Sequence, residues 1–138
     1  MRILALMLIL SLNLVAQDQK DFHAYEIIIQ TDKNTALSAW QVEVVYDKTK
    51  TKITAIEGGD KPFSNPADYD ARGLTAGKII LASFSLKSKD SRREFKVAKI
   101  HLYGPKGDIP KIKLIVAADV KGKKIKAKAL LRSVKKNE

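Results

Sequence analysis

The sequence predicts an all-β protein with two antiparallel sheets packed as a β-sandwich, and two observations support this. Apolar and polar residues alternate with period two, most clearly from Tyr25 to Gln30 and from Trp40 to Asp47, as in strands with one buried face. Gly, Pro, Asn and Asp separate the alternating segments, as turns require. No segment shows the period of an amphipathic helix. The 138 residues, 45% of them hydrophobic, fit a single domain with a sizeable core.

Further segments continue the alternation along the chain. After the first two, the predicted strands are 53–57, 78–86, 95–103, 112–118 and 125–131. In the segment 95–103 the apolar residues Ala98, Ile100 and Leu102 share one face, which leaves His101 on the other. Residues 58–77 form one long irregular segment, and such loops in compact domains are frequently functional.

The last two predicted strands are expected to pair as a hairpin around Lys121 and Gly122, with a three- or four-residue loop as the alternative turn. In that register one face pairs apolar residues, such as Ala118 with Ile125, whereas the other face is basic. A slip of one residue would mix the two faces. The predicted basic face comprises Lys111, Lys113, Lys124, Lys126, Lys128 and Arg132. It has two candidate roles, binding of an anionic partner or protection of strand edges against aggregation.

Residues 1–16 have the pattern of a secretory signal peptide. Arg2 supplies the positive charge, Ile3–Val15 is an almost unbroken apolar run, and Ala16 is a small residue at the expected cleavage site. The apolar run is too short to span a bilayer comfortably. We therefore expect residues 17–138 to form an exported domain in the periplasm, at the cell surface or outside the cell. A buried N-terminal strand or a membrane anchor is the alternative.

The chain is strongly basic. Its 26 Lys and Arg against 15 Asp and Glu give a formal charge of +11, to which the predicted signal peptide contributes one charge, that of Arg2. For an exported protein, this charge favours an anionic polysaccharide, lipid headgroups or an acidic protein as partner rather than nucleic acid. The alternative is that the charge serves solubility alone.

Candidates for catalysis or metal binding are few. The chain has no cysteine, which excludes disulfides, a thiolate nucleophile and cysteine-based metal sites. His23 and His101 lie in no recognisable triad. Asp68 and Asp70 are the only close carboxylate pair for glycoside hydrolysis in this loop. Together with Asp60 and Asn65 they could bind calcium, but the spacing matches no calcium-loop signature. The sequence predicts no enzyme activity, no cofactor and no metal site.

Three segments resemble the cohesin family. The stretch WQVEVVYDKTKTKITAIEGG, residues 40–59, is similar to the early cohesin strands, with Tyr46 and Asp47 where the family has Tyr-Asp-Pro. GKIILASF at 77–84 and FKVAKIHL at 95–102 resemble later strands of the same family. Independently of the resemblance, the Asp47 side chain is suited to turn the chain by accepting hydrogen bonds from nearby backbone amides.

The resemblance covers residues 24–118 in order and spacing. It implies a two-sheet jelly roll of cohesin type, related to cellulose-binding modules, and an exported module that binds a partner protein such as a dockerin. The chain is short for the nine-stranded family fold, and Lys48 replaces the usual proline. The alternative is a carbohydrate-binding module that uses the basic face. Trp40 and Tyr46 share a face with Val42 and Val44, so we expect both in the core rather than as a platform for sugar rings.

Overall fold

A computed structural model describes residues 19–135, and the predicted signal peptide lies outside these residues. The described part of the chain is a sandwich of two antiparallel sheets, as the alternation predicted. The elements are β1 (Lys20–Thr35), β2 (Ala39–Val45), β3 (Lys52–Gly58), α1 (Gly73–Ala76), β4 (Lys78–Phe84), β5 (Arg92–Pro105), β6 (Lys111–Ala118) and β7 (Ala127–Ser133).

The seven strands divide into a four-stranded sheet with the order β3-β5-β1-β7 and a three-stranded sheet with the order β4-β2-β6. In the first sheet β1 is central, so that Ile27 lies between Ala98 of β5 and Leu131 of β7. In the second sheet β2 is central and pairs with β4 and β6. Each sheet therefore has an inner face on the core and an outer face on solvent.

The core lies between the two inner faces and contains the residues that the alternation placed there. Trp40 and Tyr46 are buried, with 2% and 8% exposure, which confirms their assignment to the core. The Tyr46 hydroxyl donates a hydrogen bond of 2.5 Å to the carbonyl oxygen of Gly73, and this bond ties α1 to the sandwich. Asp47 ends the strand as predicted, because its carboxylate accepts a 2.9 Å hydrogen bond from the backbone N–H of Thr49. Hydrogen bonds from the hydroxyl and from the backbone N–H of Thr49 also lower the pKa of Asp47.

The long loop between β3 and β4 is irregular, as predicted, but its middle part belongs to the core. Phe63 is 2% exposed and its ring stands edge-on to Trp40, with 6.3 Å between ring centroids. Asp68 forms an antiparallel bridge with Ala82 of β4, in which each residue donates its N–H to the other's carbonyl, at 2.8 and 3.1 Å. Gly59 passes so close to β5 that a Cβ there would lie 1.9 Å from the carbonyl oxygen of Lys96. The loop is therefore packed on the sandwich rather than free of it.

The predicted pairing of the last two strands along their length is wrong, although a short hairpin with the alternative three-residue turn does form. In it the Asp119 N–H donates to the Lys123 carbonyl at 2.9 Å and the Ile125 N–H donates to the Ala117 carbonyl at 2.8 Å. β6 pairs with β2 in the three-stranded sheet, whereas β7 pairs with β1 in the four-stranded sheet. The chain does reverse at the predicted place, where Gly122 has a φ of 78°. After this turn it makes one bridge between Ala118 and Lys124 and then crosses to the other sheet.

The error has a physical reason. A period of two shows which side chains of a strand face the core, but it does not show which strand lies beside it. Leu114 of β6 and Leu131 of β7 both pack against the core, as predicted. They do so from opposite sheets, so that two apolar stripes expected side by side lie across the core from one another.

Candidate functional site

The structure divides the six predicted basic residues between the two sheets, so their placement on one face is wrong. Lys111 and Lys113 lie on β6 of the three-stranded sheet, and Lys128 and Arg132 lie on β7 of the four-stranded sheet. The other two residues, in the connection between the sheets, are Lys124 and Lys126. The cause is the crossing of the chain after β6. A binding role for these residues stays a prediction, but it cannot be exerted by all six on one flat partner.

Ion pairs cover much of the outer face of the four-stranded sheet. Arg132 donates to the Glu94 carboxylate at 2.5 Å, and this hydrogen bond is the main reason that the pKa of Glu94 is lowered. Lys96 lies 3.3 Å from Asp60 and 3.5 Å from Glu26, and the hydrogen bond to Asp60 is the main reason that its pKa is raised. These charges are satisfied within the chain, which leaves them little to offer a partner.

The two histidines do not form a catalytic arrangement among the described residues. His101 faces outward, as predicted, and its Nε2 lies 2.6 Å from the Glu57 carboxylate, which lowers the pKa of Glu57. His23 lies in β1, with Nδ1 3.2 Å from the carbonyl oxygen of Asp21. Neither ring has a hydrogen bond to a hydroxyl group in this part of the chain.

The loop carboxylates are engaged separately. Asp70 is held by Arg72, whose guanidinium donates hydrogen bonds that lower the pKa of Asp70 to about 2. Asp60 contacts Lys96 instead, and the backbone of Asp68 is bridged to β4. Within residues 19–135 no three His, Cys, Asp or Glu side chains are grouped so that they could hold a metal ion. The loop therefore presents no assembled acid pair or calcium cage.

The outer face of the three-stranded sheet is different, because it exposes large apolar side chains. Phe84, at the end of β4, is 73% exposed. Val45, Ile80, Ile115 and Val116 are each between 38% and 40% exposed. We call these five residues the apolar face. Single exposed apolar residues are ordinary on a soluble protein, but several large ones on the outer face of one sheet indicate a candidate interaction site.

Polar residues and lysines lie on the same outer face as the apolar residues. Glu43 of β2 lies opposite Ile80 on one side and Lys113 on the other, and its carboxylate pairs with Lys78 at 3.4 Å. Lys78 and Lys111 lie opposite the last residue of β2, one on each side. We call Lys78, Lys111 and Lys113 the basic rim. The outer face thus carries exposed apolar side chains mainly on its edge strands, Gln41 and Glu43 on its central strand, and the three lysines toward one end.

A register shift in β6 explains two of these exposed residues, and it could not be read from the sequence. Between Gln41 and Val42 the pairing of β2 with β6 skips Ile115, and such an extra residue locally re-aims the side chains of a strand. Ile115 and Val116 are consequently both exposed. Strict alternation had placed Val116 in the core.

Comparisons with known proteins identify the fold. No family model and no curated protein sequence matches the chain. Solved structures match it, including a chain of the CaDoc0917–CaCohA2 complex with a TM-score of 0.58 and 13% identity, covering 77% of this chain and 82% of that chain. A chain of the Coh-OlpA–Doc918 complex, a type I cohesin–dockerin complex from Clostridium thermocellum, gives 0.56 and 14%, with coverages of 77% and 82%.

A third similar structure is the seventh ScaB type I cohesin from Pseudobacteroides cellulosolvens, with a TM-score of 0.50, 12% identity, and coverages of 78% and 75%. At these identities the likeness concerns the fold, which is a cohesin-like β-sandwich, as the sequence resemblance implied. Within the described part of the chain, no helix is both long enough and apolar enough to cross a membrane.

Proposed function

We propose that this chain is a protein-interaction module that docks a partner protein through the apolar face. The observation that carries the proposal is the exposure of five large apolar side chains on the outer face of the three-stranded sheet. Interfaces between proteins typically have an apolar, well-packed centre surrounded by a polar rim. The apolar face offers the apolar area of such an interface, and Glu43 with the basic rim offers polar contacts on the same outer face of the sheet.

The chemistry of the surface defines the partner. Of the basic rim, Lys78 is paired with Glu43, whereas Lys111 and Lys113 have no ion pair among the described residues. A partner with an apolar centre and acidic residues at its border would complement both parts and would be steered by the charge. Because one similar structure is a cohesin bound to a dockerin, we propose a dockerin-like protein as the partner.

The proposal includes export and the absence of catalysis. The signal-peptide pattern of residues 1–16 supports export, and N-terminal sequencing of the protein recovered outside the cytoplasm should then begin near Gln17. Recovery of the intact N-terminus from the cytoplasm would contradict this part. A binding role without catalysis is supported by His23 and His101, which contact a backbone carbonyl and a carboxylate rather than a nucleophile.

The test is a comparison of partner capture by the wild-type protein and a double variant, Ile80→Glu with Phe84→Asp. Both side chains point away from the core, so folding should be preserved while the apolar face becomes charged and acidic. From envelope and secreted fractions, the wild-type protein should capture one protein that resists a high-salt wash, because an apolar interface is screened little by salt. The double variant should bind that protein at least about a hundredfold more weakly.

The matched control is Val120→Asp, which replaces another exposed apolar residue, 54% exposed, in the turn after β6. This variant should capture the same protein as the wild type. Equal capture by the wild-type protein and the Ile80/Phe84 double variant would refute the apolar face as the docking surface. The absence of any salt-resistant partner would refute the interaction module itself.

A further inference from the structure

A second exposed surface lies on the outer side of the four-stranded sheet, where the strands begin and end near Lys20. Phe22 of β1 lies opposite Tyr103 of β5, and Tyr103 lies opposite Lys52 of β3, so the three residues form one row across the sheet. The rings of Phe22 and Tyr103 are 4.8 Å apart and tilted by 42°. Phe22 is 63% exposed, which is unusual for a phenylalanine on the strand of a packed sheet.

In the next row of the sheet, two of the three side chains are small. Ala24 of β1 and Ala55 of β3 lie on either side of His101. The row beyond it contains the longer side chains of Lys99 and Glu57. Ala24 and His101 of this row line a cavity, which we call the groove, between Phe22 of the aromatic row and Lys99 of the charged row.

The groove continues past the end of β7, where Val134 hydrogen-bonds to the carbonyl of Ala24. Phe22, Lys99, His101, Lys106 and Lys135 are among the residues that line the resulting cavity. Its volume is about 780 Å³, within the size range of sites that hold small ligands or short polymer segments. The groove is thus large enough for a ligand and has an exposed aromatic ring at its border.

The charge of the groove is positive. Lys106 and Lys135 line it, both are exposed, and neither has an ion pair among the described residues. Both acids of the bordering row are already paired, Glu57 with His101 at 2.6 Å and Lys99 at 3.6 Å, and Glu26 with Lys96 at 3.5 Å. An anionic ligand would therefore meet free ammonium groups and no free carboxylate within this described cavity.

We propose that this groove binds an acidic polysaccharide, with a sugar ring stacked on Phe22 and carboxylate groups paired with Lys106 and Lys135. The flat apolar face of a sugar ring matches an exposed aromatic ring, and lysines serve as point charges for carboxylates. The groove and the apolar face lie on the outer sides of opposite sheets, so the two ligands can be bound together.

The experiment measures binding of the purified protein to polygalacturonate, with methyl-esterified polygalacturonate as the neutral control of the same backbone. Phe22→Ala should weaken binding about tenfold through the lost stacking contact. Lys106→Gln with Lys135→Gln should weaken it about tenfold and reduce its salt dependence. The matched control, Lys87→Gln with Lys89→Gln, removes the same charge from the exposed β4–β5 connection and should change binding less than about twofold.

Three results would overturn the proposal. They are no binding of polygalacturonate, an equal loss in both lysine pairs, and equal affinity for single-stranded DNA of the same charge, which would indicate a general polyanion surface. The Ile80→Glu and Phe84→Asp double variant should bind polygalacturonate like the wild type. This measurement distinguishes the groove proposal from the docking proposal, because either proposal can fail without the other.

Discussion

The outer faces of the two sheets differ in whether their side chains find interaction partners within the chain. On the four-stranded sheet, Glu94, Glu26 and Glu57 are each paired with a cation of the same sheet. On the three-stranded sheet, large apolar residues such as Phe84 and Ile80 face solvent. The first face completes most of its interactions within the chain. The second leaves its apolar surface uncovered, and the difference shows which side of a sandwich is available to a protein partner.

The largest expected effect distinguishes apolar residues that hold the fold from those that do not. Phe63→Ala should lower the free energy of unfolding by about 3–5 kcal/mol, because it removes a buried ring from the core. Phe84→Ala, the same change at a ring that is 73% exposed, should alter it by less than about 0.5 kcal/mol. Denaturant unfolding of the two variants measures both values. Similar losses for the two would show that the apolar face is needed for folding.

The next effect concerns the basic residues that the sequence had placed on one face. Lys111→Glu with Lys113→Glu should weaken partner binding about tenfold, mainly through a slower association rate. Lys124→Glu with Lys126→Glu makes the same charge change in the connection between the sheets and should leave the affinity within about twofold. Stopped-flow or surface-based kinetics would measure both. Equal losses in both variants would mean that net charge, not the basic rim, attracts the partner.

A smaller effect is expected from the ion pairs of the four-stranded sheet. Arg132 and Glu94 are half exposed, so a double-mutant cycle with Arg132→Ala and Glu94→Ala should give a coupling energy of about 0.2–1 kcal/mol. Partner binding should not change in either variant. A coupling well above this range would make the outer face of the four-stranded sheet a structural element comparable to the core.

The smallest effect is a dependence on pH. The hydrogen bond from His101 holds the pKa of Glu57 below its usual value of 4.5. A lowered carboxyl pKa stabilises the folded state fully above the unfolded pKa, and this contribution is lost as pH falls below 4.5 through the folded pKa. The wild-type protein should therefore be more stable than Glu57→Gln at about pH 6, and the difference should narrow at about pH 3. A difference that grows toward low pH would contradict the assigned hydrogen bond.

The strands and the residues of the core could be predicted from the sequence, because the alternation of apolar and polar residues indicates which side chains are buried. Trp40, Tyr46 and the turn at Asp47 were predicted on this basis and are confirmed. The pairing of β6 and β7 was not predictable, since an apolar stripe fits equally well beside another stripe or across the core from it. The insertion of Phe63 into the core was also missed, because an isolated apolar residue in a loop has no period.

The candidate sites were harder to predict than the fold. The apolar face depends on the register shift that exposes Ile115 with Val116, and the groove depends on which strands bring Phe22 beside Tyr103. Both result from contacts between segments far apart in the chain. Charge alone drew attention to five lysines and one arginine, and the fold places four of these six residues away from the basic rim.

The bridge between Asp68 and Ala82 has a further consequence. β4 is an edge strand of the three-stranded sheet, and it borders the apolar face. Unpaired edges next to apolar surface invite copies of a protein to join their sheets. By occupying the outward N–H and carbonyl of Ala82, the loop interrupts the row of free backbone groups at the middle of that edge. The protein can thus expose the apolar face while remaining a poor template for its own polymerisation.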